Sequence, residues 1–227
     1  MAHRICAEDA LGRTRDVDSF LYIVIALAVG YLIGRLGLTH PRSFQNDGEA
    51  RLSRLVREHF RAPDYHLMNH ITIQMEDGTT QVDHILVSRF GVFVIETKDY
   101  KGWIFANSRH ARWTQVLFQK KFQFQNPIFQ NLRHVRAVQR ILDFLPPEAV
   151  KSVVVFAGEA QFKTEIPNGV FRLSQFVDHI HEHRTEVMSL NRVQFCVGRL
   201  ETMRLAITAE TDVEHVEHLS RRHGGAD

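Results

Sequence analysis

The run Gly91-Val92-Phe93-Val94-Ile95-Glu96-Thr97-Lys98 constrains this chain more than any other segment. It reads as a strand, and side chains on a strand alternate between two faces. Val92, Val94, Glu96 and Lys98 share one face; Phe93, Ile95 and Thr97 share the other. An acid and a lysine therefore stand together at the end of an otherwise apolar strand. Charge in that place costs free energy unless it is paired, bound to a metal or open to a cleft.

The preceding strand, Thr79 to Val87, carries Asp83 among apolar neighbours. Whether Asp83 meets Glu96 depends on the turn at Ser88-Arg89-Phe90-Gly91. A two-residue loop pairs Ser88 with Gly91 and sets Asp83 opposite Glu96. A three-residue loop with Gly91 in a bulge turns Asp83 to the other face. Arg-Phe is a poor type I′ pair, which leans toward the second turn, although a bulge further along would restore the alignment. We take the aligned register, in which the chemistry is coherent. Glu49 adds a third carboxylate: Glu49, Leu52 and Val56 recur at helical spacing, so Glu49 points to the core face of an early helix. Glu49, Asp83 and Glu96 form an oxygen-rich set suited to Mg²⁺ or Mn²⁺. Such an ion polarises a scissile phosphate and acidifies bound water, and Lys98 is placed to orient that water or to stabilise developing charge.

The rest of the chain gives an α/β order. A helix runs from Asp47 or Gly48 to about Phe60. Three strands then form a meander, with a turn at Asp77-Gly78. One or two short strands surround Trp103 and Trp113. Asn126-Pro127 opens a helix that ends near Leu145, since asparagine caps and proline fits the first turn. Ser152 to Ala157 is a buried strand, followed by helices at about Leu173–His183 and Asn191–Leu205 and another near the end.

Before all of this, Phe20 to Leu38 is 19 residues long and apolar apart from Arg35. About 20 such residues cross a bilayer, so a transmembrane anchor is expected. A cleaved signal peptide and a core helix are the rivals; no small-residue cleavage site clearly follows, and the segment is apolar all round. The basic residues on the two sides lean weakly toward a cytoplasmic C-terminal domain. Gly30 and Gly34 form a GxxxG that permits a homodimer, a weak signal in a run so rich in small residues. The chain divides as a tail (1–19), the anchor (20–38), a linker (39–46), a central domain (47–157) and a mainly helical extension (158–227) without a legible motif. Two cysteines, Cys6 and Cys196, make no disulfide framework, and Cys196 reads as a small buried hydrophobe.

Charge is nearly balanced overall, at +2, yet from Lys98 to Arg140 nine cations face one acid, Asp99. Lys101, Arg109, Arg112, Lys120, Lys121 and Arg133 lie in this stretch, interleaved with aromatics. Cations track phosphates and aromatic rings stack on unpaired bases, so contact with nucleic acid is expected; anionic headgroups are the alternative. His134 shares a helix face with Gln130. Among 14 histidines a surface role is the plainer reading for it, with phosphate contact as the rival. His84 faces away from Asp83 and is left out of the metal shell.

Gly48-Glu49-Ala50, Gln81-Val82-Asp83-His84-Ile85, the Gly91–Lys98 run, Gly102 and Asn126-Pro127-Ile128-Phe129-Gln130-Asn131 together resemble the nuclease-related domain, a family related to the restriction-endonuclease-like PD-(D/E)xK superfamily. The resemblance spans about Asp47 to Ala157. It implies a mixed central sheet flanked by helices, here preceded by one transmembrane helix. It also implies a metal-dependent phosphodiesterase site in which Asp83, Glu96 and Lys98 match the D…ExK core, Glu49 the preceding helix glutamate and Gln130 the glutamine after Asn-Pro; with the basic stretch beside that site, DNA is the expected substrate. Val82 stands where the superfamily pattern has proline. Members can keep the fold and lose catalysis, so a module that binds nucleic acid or a protein partner at the membrane without turnover is the rival class. A mainly structural membrane protein is a third.

Overall fold

Asn46 begins the described chain by capping a helix: its side chain accepts the Glu49 N–H at 3.0 Å. The structure, a computed structural model, describes residues 46–205. Helix α1 (Asp47–His59) buries Leu52 and Val56 and ends at Phe60. Strands β1 (Tyr65–Met75), β2 (Gly78–Ser88) and β3 (Gly91–Lys98) form the expected antiparallel meander. Ser88 pairs with Gly91 and His84 with Ile95, so the turn is the two-residue one. Neither Arg89 nor Phe90 takes a positive φ. The turn is therefore not type I′, and the objection to Arg-Phe falls away. Ser88 braces it instead: its hydroxyl donates to Gly91 O at 2.9 Å and accepts the Phe90 N–H at 3.1 Å.

Beyond β3 the chain makes three strands where one or two were expected: β4 (Gly102–Phe105), β5 (Arg112–Leu117) and β6 (Lys120–Gln125). The third was hidden because its hairpin turn, Phe118-Gln119, has positive φ at both residues without a glycine or asparagine to announce it. Helix α2 (Pro127–Ile141) follows, capped by Asn126, and stops four residues before Leu145. Strand β7 (Val150–Phe156) lies parallel to β3. After it come β8 (Ala160–Phe162), β9 (Val170–Arg172), α3 (Leu173–Glu182) and α4 (Leu190–Met203).

These elements build two sheets. The larger has the order β1-β2-β3-β7-β9 and is mixed; the smaller has the order β6-β5-β4-β8. On one face of the larger sheet Ile85, Val87, Val92 and Val94 pack against α2 and α4. On the other, Phe93, Ile95, Val153 and Val155 pack against α1 and α3. The smaller sheet lays Ile104 and Trp113 on Val154, Phe156 and Val170, on the α2 side. Cys196 is fully buried in the first core, as its reading as a small hydrophobe expected.

Two glycines fix how β3 leaves the sheet. A Cβ on Gly48 would stand 2.7 Å from Asp99 Cβ, and one on Gly158 would stand 2.7 Å from Asp99 Oδ1 and 2.8 Å from Tyr100 N. The chain just after Lys98 thus passes between the start of α1 and the exit of β7 with no room for a side chain on either. Among the described residues no helix is long and apolar enough to cross a membrane. The segment 20–38, its Gly30 and Gly34, and the helix expected near the end lie outside the described residues.

Candidate active site

Glu96 is 2% exposed on β3, and both its oxygens are engaged. Lys98 Nζ donates to Oε1 at 2.5 Å, and His134 Nε2 lies 3.1 Å from Oε2. Lys98 Nζ also donates to Gln130 Oε1 at 3.0 Å. Helix α2 supplies both partners, because residues four apart share a helix face. The structure thus brings Glu96, Lys98 and Gln130 together. It also overturns the surface reading of His134. That residue is buried, and its Nδ1 lies 2.8 Å from Thr80 Oγ1. With Thr80 donating to Nδ1 and Nε2–H donating to the carboxylate, a neutral imidazole satisfies every partner. The i, i+4 spacing of Gln130 and His134 was the signal in the sequence that could have found this contact.

Asp83 reaches the same place by a break in strand alternation. Asn69 pairs with His84 and Ile71 with Val82, leaving His70 and Asp83 between them without regular pairing. His70 has φ +51°. On both strands the residues before and after the break face the same core: Met68 with Ile71, Val82 with Ile85. The β2–β3 register sets Asp83 level with Glu96, and Asp83 Oδ2 accepts the Thr97 N–H at 2.8 Å. His84 points away, as expected, with Nδ1 2.8 Å from Asn69 Oδ1. Glu49 is 7% exposed. Its Oε1 accepts from Asn46, and its Oε2 lies 3.5 Å from His70 Nε2.

The carboxylates sense one another. Burial pushes Glu49 up to about 7, and the Glu96 charge adds to that. Burial also raises Asp83 well above the usual carboxylate range, again helped by Glu96. Burial works the same way on Glu96, but Lys98 and His134 outweigh it and hold Glu96 down to about 2. The Lys98 ammonium is disfavoured by burial, and Glu96 more than compensates, raising its pKa. Glu96–Lys98 is thus an ion pair beside two carboxyls whose charges resist accumulating. Among the described residues no three His, Cys, Asp or Glu side chains are gathered into a metal-holding group. The donor set, three carboxylates in one field with two of them reluctant to ionise, nonetheless has the oxygen chemistry of a Mg²⁺ or Mn²⁺ site, and a cation there would relieve that reluctance.

Two opposed pH effects follow. Glu49 carries a folded-state pKa of about 7 against an ordinary 4.5, so the fold binds its proton more readily and gains stability as pH falls through that window. His84 is lowered by burial, then by the neighbouring His70, from 6.5 to about 3, so the unfolded chain takes that proton first and stability is lost as pH falls below 6.5. Each contributes about 1.4 kcal/mol per pH unit where it acts alone. Relative to the parent chain in chelator, Glu49→Gln should lose stability between pH 7 and 5, and His84→Gln should gain it. Urea midpoints across that range check both signs.

The expected cations behave unequally. Lys101, Arg109, Arg112, Lys120 and Lys121 are exposed on and around the smaller sheet. Arg133 sits on α2 and donates to Asp77 at 3.0 Å, so it is already committed to an acid.

Residues 45–157 match the nuclease-related domain family. An uncharacterized protein of Bacillus anthracis is 27% identical over 203 residues, which cover 89% of this chain and 87% of that protein. No solved structure gives a significant match. The matched span runs from the cap of α1 to the end of β7 and contains Glu49, Asp83, Glu96, Lys98 and Gln130, so residues 45–157 are a nuclease-related domain.

Proposed function

We propose that this chain is a membrane-anchored, metal-dependent nuclease that hydrolyses phosphodiester bonds, with DNA as substrate. The observation that carries the reading is the convergence of Lys98, Glu96 and Gln130 beside Asp83 at one end of β3. Asp83 and Glu96, with Glu49, would hold Mg²⁺ or Mn²⁺, which when bound supplies a Lewis acid for the phosphate and lowers the pKa of water. Lys98 orients the attacking water and balances charge on the phosphate oxygens. Gln130 fixes the ammonium by accepting from it. His134 and Thr80 hold the second oxygen of Glu96, a role of the kind outer partners play at metal sites. Residues 20–38 would hold this domain at the membrane, on the cytoplasmic side. Lys101, Arg109, Arg112, Lys120 and Lys121 would draw in the phosphate backbone.

The test is a cleavage assay on the full chain with single- and double-stranded DNA and RNA, in Mg²⁺, Mn²⁺ or chelator. Metal-dependent cleavage lost in both Asp83→Ala and Lys98→Ala is the expected result. Salt-sensitive binding without cleavage, unchanged in both variants, would replace it with the second reading: a binding module that has kept the pocket. What favours that second reading is that protein groups already occupy both oxygens of Glu96.

A further inference from the structure

The smaller sheet has one face on the core and one in solvent, and the solvent face has an unusual composition. Register puts Trp103 and Phe105 of β4 on that outer face with Arg112, Thr114 and Val116 of β5. The same register adds Lys121, Gln123 and Gln125 of β6 and Gln161 of β8. Two large rings on a solvent face are costly, yet Trp103 is 49% exposed and Phe105 39%. On the opposite face Trp113 is 1% exposed and Ile104 0%, while Phe122, on the edge strand β6, is 47% exposed. No strand of this sheet contains an acid. Lys163, just past β8, sets its ammonium 4.7 Å from the centre of the Trp103 ring.

We infer that this outer face is a stacking platform for single-stranded nucleic acid, with unpaired bases lying on Trp103 and Phe105 and the backbone held by Arg112, Lys121 and Lys163. The inference rests on the nucleic-acid reading of the chain and adds the class of strand and the residues that select it. Alternate residues on a strand present two rings in a row, about 6.6 Å apart along β4. Bases of a duplex are already stacked on one another and keep their faces from such a surface, whereas unpaired bases accept aromatic platforms irrespective of sequence. Arg112, Lys121 and Lys163 are complementary to phosphate, and the strands add no acid against them. The remaining positions are Val116, opposite Trp103, and the amides of Gln123, Gln125 and Gln161 with the Thr114 hydroxyl, polar groups suited to base edges.

The chain reports on this itself. It has two tryptophans, and only Trp103 is exposed. In the full chain, in chelator and low salt, an oligothymidylate of roughly 12 nucleotides should quench the fluorescence. Trp103→Phe, which leaves Trp113, should abolish the quench. By anisotropy Trp103→Ala should weaken single-strand binding about tenfold and leave binding to the matching duplex unchanged. Lys163→Ala should lower the salt slope for the single strand by about 0.7. Equal loss for single strand and duplex, or no loss for either, overturns the inference. So does a quench by vesicles rich in anionic lipid with none by the oligonucleotide, which would assign the face to a membrane. Because no metal is present, the two readings fail separately. Cleavage with an unresponsive Trp103 sinks only this one; a Trp103-dependent single-strand complex without cleavage in either metal sinks only the nuclease.

Discussion

Glu96→Gln is expected to remove metal-dependent cleavage almost completely, by about 10³-fold or more, because the proposed metal ligand and the partner of Lys98 are lost together. A bound ion supplies several kcal/mol of transition-state stabilisation, and each 1.36 kcal/mol or so is a factor of ten. The same substitution should also destabilise the fold. Lys98 is 16% exposed, and among the described residues Glu96 is the one carboxylate within ion-pair distance of it. Breaking a buried pair from one side costs about 3–5 kcal/mol, since a charge is left without compensation. Removing both charges is a different matter: buried ion pairs replaced by apolar groups of similar size are often neutral in stability. Glu96→Gln/Lys98→Met should therefore recover most of the stability lost in Glu96→Gln while recovering no activity. Urea unfolding and the cleavage assay, run on the two single variants and the double, separate the site's structural worth from its chemical worth. A double variant no more stable than Glu96→Gln would show that Lys98 is not held by that carboxylate.

Asn131→Asp is the second large effect, and it concerns stability alone. Asn131 lies beside Gln130 on α2 and is fully buried. Its amide nitrogen reaches Val94 O at 2.9 Å, Val153 O at 3.0 Å and Ser152 Oγ at 2.9 Å, so one side chain ties α2 to both β3 and β7. Two of these partners are carbonyls, which only accept. Aspartate has nearly the same shape and no N–H, so no cavity forms, but an ionised carboxylate would face two acceptors in a dry place. A cost of about 4 kcal/mol follows from the lost bonds and the buried charge. The new carboxyl would stay protonated in the fold well above its unfolded pKa of about 3.9. The fold then binds more protons than the unfolded chain, and the variant loses stability as pH rises from about 4 toward 7. Denaturation midpoints of the variant and its parent at pH 5 and 7 measure both the size and the sign.

How much of this was legible in the sequence differs from element to element. The apolar alternation of β3 and the Glu96, Thr97, Lys98 ending were plain, because a strand states its two faces residue by residue. α1 and α2 were plain at their starts, where Asn46 and Asn126 cap them, and α2 was less so at its end. There Leu142 and Leu145 continue an apolar pattern after the helix has stopped. That His134 shares the site face with Gln130 was legible in their spacing, but its burial was not. Its burial depends on β2 delivering Thr80 from 54 residues away, and nothing near His134 records that. β6 was missed because Lys-Lys-Phe-Gln-Phe-Gln has only weak strand content and a turn without glycine. It forms because β5 supplies a partner along its length. The break at His70 and Asp83 was equally invisible, since no residue type there demands a positive φ.

The two glycines beside Asp99 bear on what this protein can tolerate over time. Gly48 adjoins Glu49, and Asp99 adjoins Lys98, so a helix and a strand that each carry a side chain of the candidate site meet where neither glycine can acquire a side chain. That junction is held by the absence of atoms rather than by a bond that could be exchanged for another. Surface charges, loop lengths and even the cations of the smaller sheet can drift one at a time, each change small and separately reversible. A methyl group at position 48 or 158 has no such gradual route: it would move α1 or the end of β7 relative to the strand that carries Glu96 and Lys98.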